Sequence, residues 1–207
     1  MIFLHRQNNF ETIADCEIDI RSHPNGLVLN HNRLDFNKEY FTLKSFAKKY
    51  SNKVVICNVK ESGVEEETLR ILTENKVDVL FLDSQIPDIV RLSKINEFKS
   101  KFIIRVSNYE EVSMSIIDAS KAKFVWADWF KFDNFNINDY ISYIDSLIKA
   151  VEGKDIELII VSPELYNLDH LDKAKEIAYR LRNHQISVCT KYPELWEEHA
   201  KSQKTCR

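Results

Sequence analysis

The stretch KVVICNVKESGVEEETLRILTENKVDVLFLD, residues 53–83, contains in order a strand pattern, a helix pattern and a second strand pattern. Its end segments, Lys53–Lys60 and Val77–Asp83, are short, apolar and rich in valine, leucine and isoleucine. Its middle segment, Glu65–Asn75, has apolar residues at helical spacing. Strands that are apolar throughout are typical of a parallel sheet covered by helices. The stretch therefore predicts a β–α–β unit.

The same alternation continues toward both ends of the chain. The other candidate strands are Ile2–Arg6, Cys16–Arg21, Phe102–Ser107, Lys123–Trp129, Glu157–Ser162 and Ile186–Thr190. The other candidate helices are Pro87–Phe98, Tyr109–Ala119, Ile137–Val151 and Leu171–Asn183. About eight strand–helix units close a parallel barrel, so the sequence predicts the α/β class and a (β/α)8 TIM-type barrel. An open, doubly wound sheet is the alternative.

The predicted barrel is shortened and begins irregularly. The chain has 207 residues, fewer than the roughly 250 of a usual barrel, which predicts trimmed loops. Gln7–Asp15 is too short for a full first helix, so that helix should be reduced. A turn at His23–Gly26 precedes an extra segment, Leu27–Asn32. Because no repeat or flexible linker interrupts the pattern, we predict a single domain over residues 1–207.

Composition argues against several classes of protein. Lysine and arginine total 29 against 32 aspartates and glutamates, which does not favour nucleic-acid binding. No apolar run approaches the roughly 20 residues of a membrane span, and the first residues resemble a strand more than a signal peptide. Cys16, Cys57, Cys189 and Cys206 form no CxxC motif, which favours reduced thiols and a cytoplasmic location. The sequence does not predict the oligomeric state.

Polar residues end the first strands, and the active site of a parallel barrel lies at the carboxyl ends of its strands. These residues are His5, Arg6, Glu17, Asp19, Asn58 and Lys60. Period-two alternation puts Glu17 and Asp19 on one face of their strand. Two such carboxylates need a cation, and Mg²⁺ or Ca²⁺ would neutralise them. The alternative is a set of salt bridges with Arg6, Arg21 or Lys60.

The order of these motifs resembles the glycerophosphodiester phosphodiesterase family, within the phospholipase-C-like barrels. That family opens with HR, continues with ExD on the next strand, and has HD after a short insertion. Here the corresponding residues are His5-Arg6, Glu17-Ile18-Asp19 and His31. Asn58-Val59-Lys60 resembles the family's ExK motif, and Thr190-Lys191-Tyr192-Pro193 resembles its TDxP motif. The matches extend from the first strand to the last and are dense between His5 and Lys60.

The resemblance implies a phosphoric diester hydrolase that acts on a small soluble glycerol- or sugar-phosphodiester. It implies that His5 and His31 are the general acid and base, a role suited to imidazoles because they gain and lose protons near neutral pH. It also implies that Arg6 and Lys60 bind the phosphate. Short relatives with a similar NVK-EG stretch accompany surface-polysaccharide genes in bacteria, which implies a role in that metabolism.

The resemblance further implies one divalent metal ion, Mg²⁺ or Ca²⁺, on Glu17, Asp19 and Asn58. Asn58 stands where the family has a carboxylate, so the ion would have one anionic ligand fewer and should bind more weakly. Two further positions depart from the family pattern. Asn32 follows the second histidine where the family has aspartate, and Lys191 replaces the aspartate of TDxP.

Later strand ends supply additional candidates for the pocket. Arg105 would bind a second phosphate or a substrate carboxylate, or else form an ion pair at the rim. Trp126 would stack on a sugar or base, or else pack in the barrel. Asp83 would supply the missing carboxylate, or else cap the following helix. Glu61 and Glu164 are loop carboxylates of lower priority.

Two other functions fit the pattern. One is a barrel that has lost catalysis and binds a phosphorylated ligand or a partner protein, which the substitution at Asn58 favours. The other is an unrelated isomerase or aldolase barrel that uses Lys60 as a base or Schiff-base amine. Metal dependence would favour the phosphodiesterase over both, and borohydride trapping would detect a Schiff base.

Overall fold

Eight parallel strands form a nearly closed, barrel-like sheet in the computed structural model, which describes residues 1–131 and 135–197. The strands of the fold are β1 (Ile2–Leu4), β2 (Cys16–His23), β3 (Gly26–Leu29), β4 (Val54–Val59), β5 (Asp78–Leu82), β6 (Ile103–Val106), β7 (Phe124–Ala127), β8 (Glu157–Val161) and β9 (Ile186–Thr190). Their order is β5-β4-β2-β1-β9-β8-β7-β6, with β3 paired only to β2. The predicted α/β class and parallel barrel-like sheet are confirmed.

Helices connect most of the successive parallel strands. They are α1 (Leu43–Ala47), α2 (Glu65–Glu74), α3 (Ile86–Leu92), α4 (Met114–Ser120), α5 (Ile137–Val151) and α6 (Leu171–Leu181). Helix α5 has the predicted bounds. Helix α4 begins at Met114 instead of Tyr109, because Ser107 and Glu110 form a turn through two backbone hydrogen bonds. The segment Pro87–Phe98 is not one helix, since α3 ends at Leu92 and a 3₁₀ turn follows.

The first connection contains no helix within residues 5–15, in line with the predicted reduction of the first helix. The extra segment after the second strand is β3, which forms an antiparallel hairpin with β2. Gly26 has a φ of 108° at the turn of this hairpin, a conformation that glycine adopts at little cost. The hairpin is therefore an addition to β2, and Leu27, Val28 and Leu29 of β3 are buried.

Side chains alternate between two separate apolar clusters. The larger cluster combines outward-facing strand residues, such as Ile18 and Ile20, with the buried faces of the helices. The smaller cluster takes all its fully buried members from the strands, among them Phe3, Ile56 and Trp126. The smaller cluster is therefore the barrel interior. Polar residues on the same strand face as these side chains also point inward.

Strands β5 and β6 stand at the two ends of the strand order and meet across a short seam. These strands meet at a single bridge, Phe81 with Phe102, where the N–H of Phe81 donates to the carbonyl of Lys101 at 2.7 Å. The next contact along this seam joins the side chains of Asp83 and Arg105. The barrel is thus closed here partly by an ion pair instead of a continuous backbone ladder.

Two further observations concern predictions from composition. Among the described residues, no helix combines the length and apolarity needed to cross a membrane. Cys16, Cys57 and Cys189 are buried free thiols, as expected. Cys206 lies outside the described residues.

Candidate active site

Glu17 and Asp19 are fully buried and lie on the inner face of β2. In the parallel ladder Glu17 pairs with Ile56 and Asp19 with Asn58, so the two carboxylates and the Asn58 amide share the face that carries the interior cluster. This position is level with the carboxyl ends of β1 and β4, where active sites of such barrels form. The expected juxtaposition of these three side chains is present.

Glu17 is held by three donors. Its Oε2 accepts a hydrogen bond from the backbone N–H of Arg6 at 2.9 Å and lies 3.2 Å from Nδ1 of His5. Its Oε1 accepts from the Asn58 amide at 3.1 Å. Burial would raise the pKa of Glu17, but the hydrogen bond and charge of His5 and the other donors outweigh it and lower the pKa to about 2. Glu17 is therefore an anion near neutral pH.

Asp19 has a different set of partners. Asn8 forms two hydrogen bonds with it: the Asn8 amide donates to Oδ2, and the backbone N–H of Asp19 donates to Asn8 Oδ1, both at 2.9 Å. Arg6 Nε is 3.4 Å from Oδ2, and Lys60 Nζ is 3.1 Å from Oδ1. The salt bridges anticipated with Arg6 and Lys60 are therefore confirmed. Arg21, the third cation considered, pairs with Glu61.

Two oxygens of this cluster accept no hydrogen bond from any described residue, although both are buried. They are Oδ1 of Asp19, which has only its ion pair with Lys60, and Oδ1 of Asn58. Because the Asn58 amide donates to Glu17, its oxygen must face away from that carboxylate. The two oxygens belong to register partners on adjacent strands. Carboxylate and amide oxygens are ligands that Mg²⁺ and Ca²⁺ accept, so the donor set fits a hard divalent ion.

The cluster has fewer anionic donors than a conventional metal site. Within residues 1–131 and 135–197, no group of three or more histidine, cysteine, aspartate or glutamate side chains has a metal-binding arrangement. Glu17 and Asp19 supply two such side chains, and Asn58 occupies the third position. A metal ion would thus depend on a neutral amide oxygen there.

Backbone hydrogen bonds hold the segment around His31 against the end of β2. The neighbouring Asn30 donates from its N–H to the Asp19 carbonyl at 3.1 Å, and Arg21 donates to the carbonyl of His31 at 3.0 Å. Nδ1 of the half-buried His31 ring lies 3.1 Å from Oδ1 of Asn32. Arg21 itself pairs with Glu61 at 2.9 Å. Of the two candidate histidines, His5 contacts a buried carboxylate, Glu17, whereas the ring of His31 contacts Asn32. The catalytic role of His31 remains a prediction.

A second charged cluster lies on β5, β6 and β7. Arg105 donates to both oxygens of Asp83 at 2.6 Å and also to Asp128. Burial would lower the pKa of Arg105, but the two aspartates outweigh it and raise the pKa. The rim ion pair considered for Arg105 is confirmed, and its binding of a substrate anion stays a prediction. The helix cap considered for Asp83 is wrong, because Gln85 is the N-cap residue of α3.

Asp128 is the centre of this second cluster. It accepts hydrogen bonds from Tyr166 at 2.7 Å and from the indole N–H of Trp126 at 3.3 Å. Trp126 is buried in the interior cluster, so it packs in the barrel, and stacking on a substrate stays a prediction. Side chains alternate along a strand, so Asp128, two residues after the inward-facing Trp126, should also face inward. This alternation is the sequence signal for Asp128.

Glu164 was a candidate of lower priority, and Asn8 is a polar residue that the sequence pattern did not reveal. Glu164 is buried and accepts hydrogen bonds from Ser162, from Thr190 Oγ1 and from the backbone N–H of Lys191. It therefore fixes the segment that resembles TDxP. No local sequence signal indicates the pairing of Asn8 with Asp19, since the two residues lie in different elements.

A comparison with models of protein families finds no match, and a comparison with curated proteins also finds none.

Proposed function

We propose that this protein is a metal-dependent phosphodiesterase of the glycerophosphodiester type, built on a (β/α)8 barrel with a reduced first helix. Its substrate is a small soluble glycerol- or sugar-phosphodiester. The observation that supports this most is the buried pair Glu17 and Asp19, with a histidine on one carboxylate and two lysine or arginine side chains on the other. Buried carboxylates are costly unless they serve a site or are fully paired.

Glu17, Asp19 and Asn58 would hold Mg²⁺ or Ca²⁺. The two oxygens without hydrogen bonds, on Asp19 and Asn58, are the atoms that would face the ion, which would replace Lys60 at the Asp19 oxygen. Glu17 retains lone pairs on both oxygens and carries a full negative charge, because its pKa is lowered to about 2. When bound, such an ion withdraws charge from the non-bridging oxygens of a phosphodiester.

His5 is the residue we assign to one proton transfer. Its Nδ1 faces Glu17, which orients the ring and leaves Nε2 for the substrate. His31 is assigned to the other transfer, on the resemblance to the HD motif. One imidazole takes the proton of the attacking hydroxyl, and the other donates a proton to the leaving alkoxide.

Arg6 and Lys60 are the groups we assign to the phosphate. Both lie beside Asp19, and the Arg6 side chain is the more exposed of the two. Their positive charges suit the non-bridging oxygens, which gain negative charge as the reaction proceeds. Arg105 and Trp126 remain secondary candidates for the substrate's other end.

The test is a panel of phosphodiesters incubated with the purified protein and Mg²⁺, Ca²⁺ or Mn²⁺, with release of alcohol or phosphate monoester as the readout. We expect hydrolysis that chelation abolishes and that Glu17→Gln and Asp19→Asn each lose. Asp155→Asn is the matched control, because Asp155 is a highly exposed carboxylate paired with Lys123 in another part of the barrel. If none of the diesters is cleaved in any metal, the proposal fails.

A second candidate function is an anion-binding barrel without catalysis. The pairing of Asp19 with both Arg6 and Lys60 favours it, since the protein neutralises this carboxylate with its own cations. Binding of a phosphodiester without turnover would support this alternative. Trapping of Lys60 by borohydride with a carbonyl compound would instead support the isomerase or aldolase alternative.

We assign a cytoplasmic location, which the buried free thiols of Cys16, Cys57 and Cys189 support. A bacterial role in surface-polysaccharide metabolism rests on the resemblance of the NVKESG stretch alone. Loss of polysaccharide on deletion of the gene would support that role.

A further inference from the structure

The loop of residues 5–15 replaces the first helix, and it is firmly attached at several points. His5 donates from its N–H to the carbonyl of Thr190 at 2.9 Å, and Gln7 donates to the carbonyl of Glu17 at 2.8 Å. Farther along, the hydroxyl of Tyr50 donates to the carbonyl of Thr12 at 2.8 Å. The loop is thus a defined structure against the carboxyl end of β2.

The loop supplies main-chain and side-chain donors to both buried carboxylates. Arg6 has a φ of 51°, an uncommon value for a residue other than glycine. In this conformation its N–H donates to Oε2 of Glu17 at 2.9 Å. Two residues later, the side chain of Asn8 reaches Asp19. Backbone strain of this kind is concentrated at functional sites.

Asn8 uses both ends of its amide on one residue. Nδ2 donates to the Asp19 carboxylate, and Oδ1 accepts from the Asp19 backbone N–H, each at 2.9 Å. The backbone N–H must face an oxygen, which fixes the orientation of the amide. Because one planar group links the main chain of Asp19 to its carboxylate, the rotation of the Asp19 side chain is restricted.

This restriction determines which oxygen of Asp19 is left for a ligand. Oδ2 is occupied by Asn8 and lies 3.4 Å from Nε of Arg6. Oδ1 accepts no hydrogen bond from the described residues, and its charged partner is Nζ of Lys60 at 3.1 Å. It belongs to the register partner of Asn58, whose Oδ1 also accepts no hydrogen bond from these residues. Asn8 therefore holds the carboxylate with Oδ2 turned to the loop and Oδ1 turned to the position of a cation, which Lys60 occupies and a metal ion would take over.

We propose that Asn8 is a positioning residue for the metal ligand Asp19, and that the loop of residues 5–15 is by this contact a part of the metal site. This inference rests on the proposed function, because it concerns the same ion. Groups that hydrogen-bond a ligand and fix its orientation typically change metal affinity about 10- to 100-fold when removed.

The experiment is a calorimetric titration of Mg²⁺ and of Mn²⁺ into the purified, chelator-treated full chain. We expect Asn8→Ala to bind either ion about 10- to 100-fold more weakly than the original protein. Asn9→Ala is the matched control, since Asn9 is the exposed next residue of the same loop, and it should bind as the original protein does. If Asn8→Ala does not fold, Asn8→Ser replaces it, because a hydroxyl cannot span both partners of the amide.

A second readout separates positioning from a merely structural role. If Asn8 only stabilised the loop, Asn8→Ala would lower the melting temperature equally with and without metal. A positioning residue instead makes the metal-induced rise in melting temperature smaller in Asn8→Ala, since that rise depends on affinity. If the original protein binds ions and Asn8→Ala binds them equally well, the inference alone is overturned. If the original protein binds neither ion, the proposed metal site fails, and the inference fails with it.

Discussion

Replacing Arg105 with methionine should cost about 3–5 kcal/mol of unfolding free energy, because it removes one partner of a largely buried ion pair. The Arg105 side chain is 24% exposed and donates to both oxygens of Asp83 and to Asp128. Charge-assisted hydrogen bonds contribute about 1.5–3 kcal/mol each, and Asp128 would stay buried without its cation. The two bonds to Asp83 also cross the seam between β5 and β6, where the backbone ladder has a single bridge.

The matched control is Arg91→Met. Arg91 also joins two carboxylates, Glu66 and Asp88, but its side chain is 55% exposed. Exposed ion pairs contribute about 0–1 kcal/mol, so this variant should lose at most that amount. A third variant, Asp83→Asn, keeps a side chain that tolerates the φ of 64° at this position while removing the charge. Its loss should lie between the other two.

Urea unfolding followed by tryptophan fluorescence measures these differences. With a slope of about 2 kcal/mol per molar urea, the Arg105→Met midpoint should fall by about 2 M and the Arg91→Met midpoint by less than about 0.5 M. If the two midpoints fall equally, or if Arg105→Met loses less than about 1 kcal/mol, the ion pair does not close the seam. Packing of the apolar side chains would then hold these strands together.

Three further predictions concern the candidate site. With a cleaved substrate in hand, His5→Ala and His31→Ala should each lower kcat by about 10²- to 10⁴-fold with little change in KM, whereas His184→Ala, just before β9, should not; near-normal kcat in both variants would contradict the assignment. Asn58→Glu should tighten Mg²⁺ binding in calorimetry by restoring an anionic ligand, and unchanged binding in a folded variant would exclude Asn58 as a ligand. Because the pKa of Glu17 is lowered from 4.5 to about 2, its contribution to stability is complete above about pH 4.5 and is lost as the pH falls toward 2. Unfolding free energy in that window should fall about 1.4 kcal/mol per pH unit more steeply than in Glu17→Gln, and parallel curves would refute the ionised, paired state.

The parts of the fold that local pattern controls were predictable. Helix α5 and strand β9 have the predicted bounds, because their apolar residues repeat at a single period along the whole element. The role of Asp83 was not predictable. The local sequence favoured a helix cap, but its side chain pairs with Arg105, 22 residues away along the chain. The absence of a helix after β1 was visible in the short spacing between strands.

The candidate site likewise has a part that the sequence predicts and a part that it does not. Alternation along β2 was enough to place Glu17 and Asp19 on one face, and the parallel register brought Asn58 beside them. The bond between Asn8 and Asp19 depends on how an irregular loop folds back, and no periodicity encodes that path. Sequence pattern therefore identifies residues on regular elements and misses the loop residues that orient them.

The charges around Asp19 explain how one site can be stable when empty and still bind two ligands of opposite charge. In the free protein, Arg6 and Lys60 pair with Asp19, and His5, the Arg6 N–H and the Asn58 amide hold Glu17, which offsets the cost of burying the carboxylates. A divalent cation at Oδ1 of Asp19 would displace Lys60, because both cations bind the same oxygen. Lys60 would then lose its partner and require a new anion, which a phosphodiester supplies. Metal and substrate should therefore bind cooperatively. The metal releases Lys60 for the substrate's phosphate, and the substrate, by pairing with Lys60, leaves Asp19 for the metal.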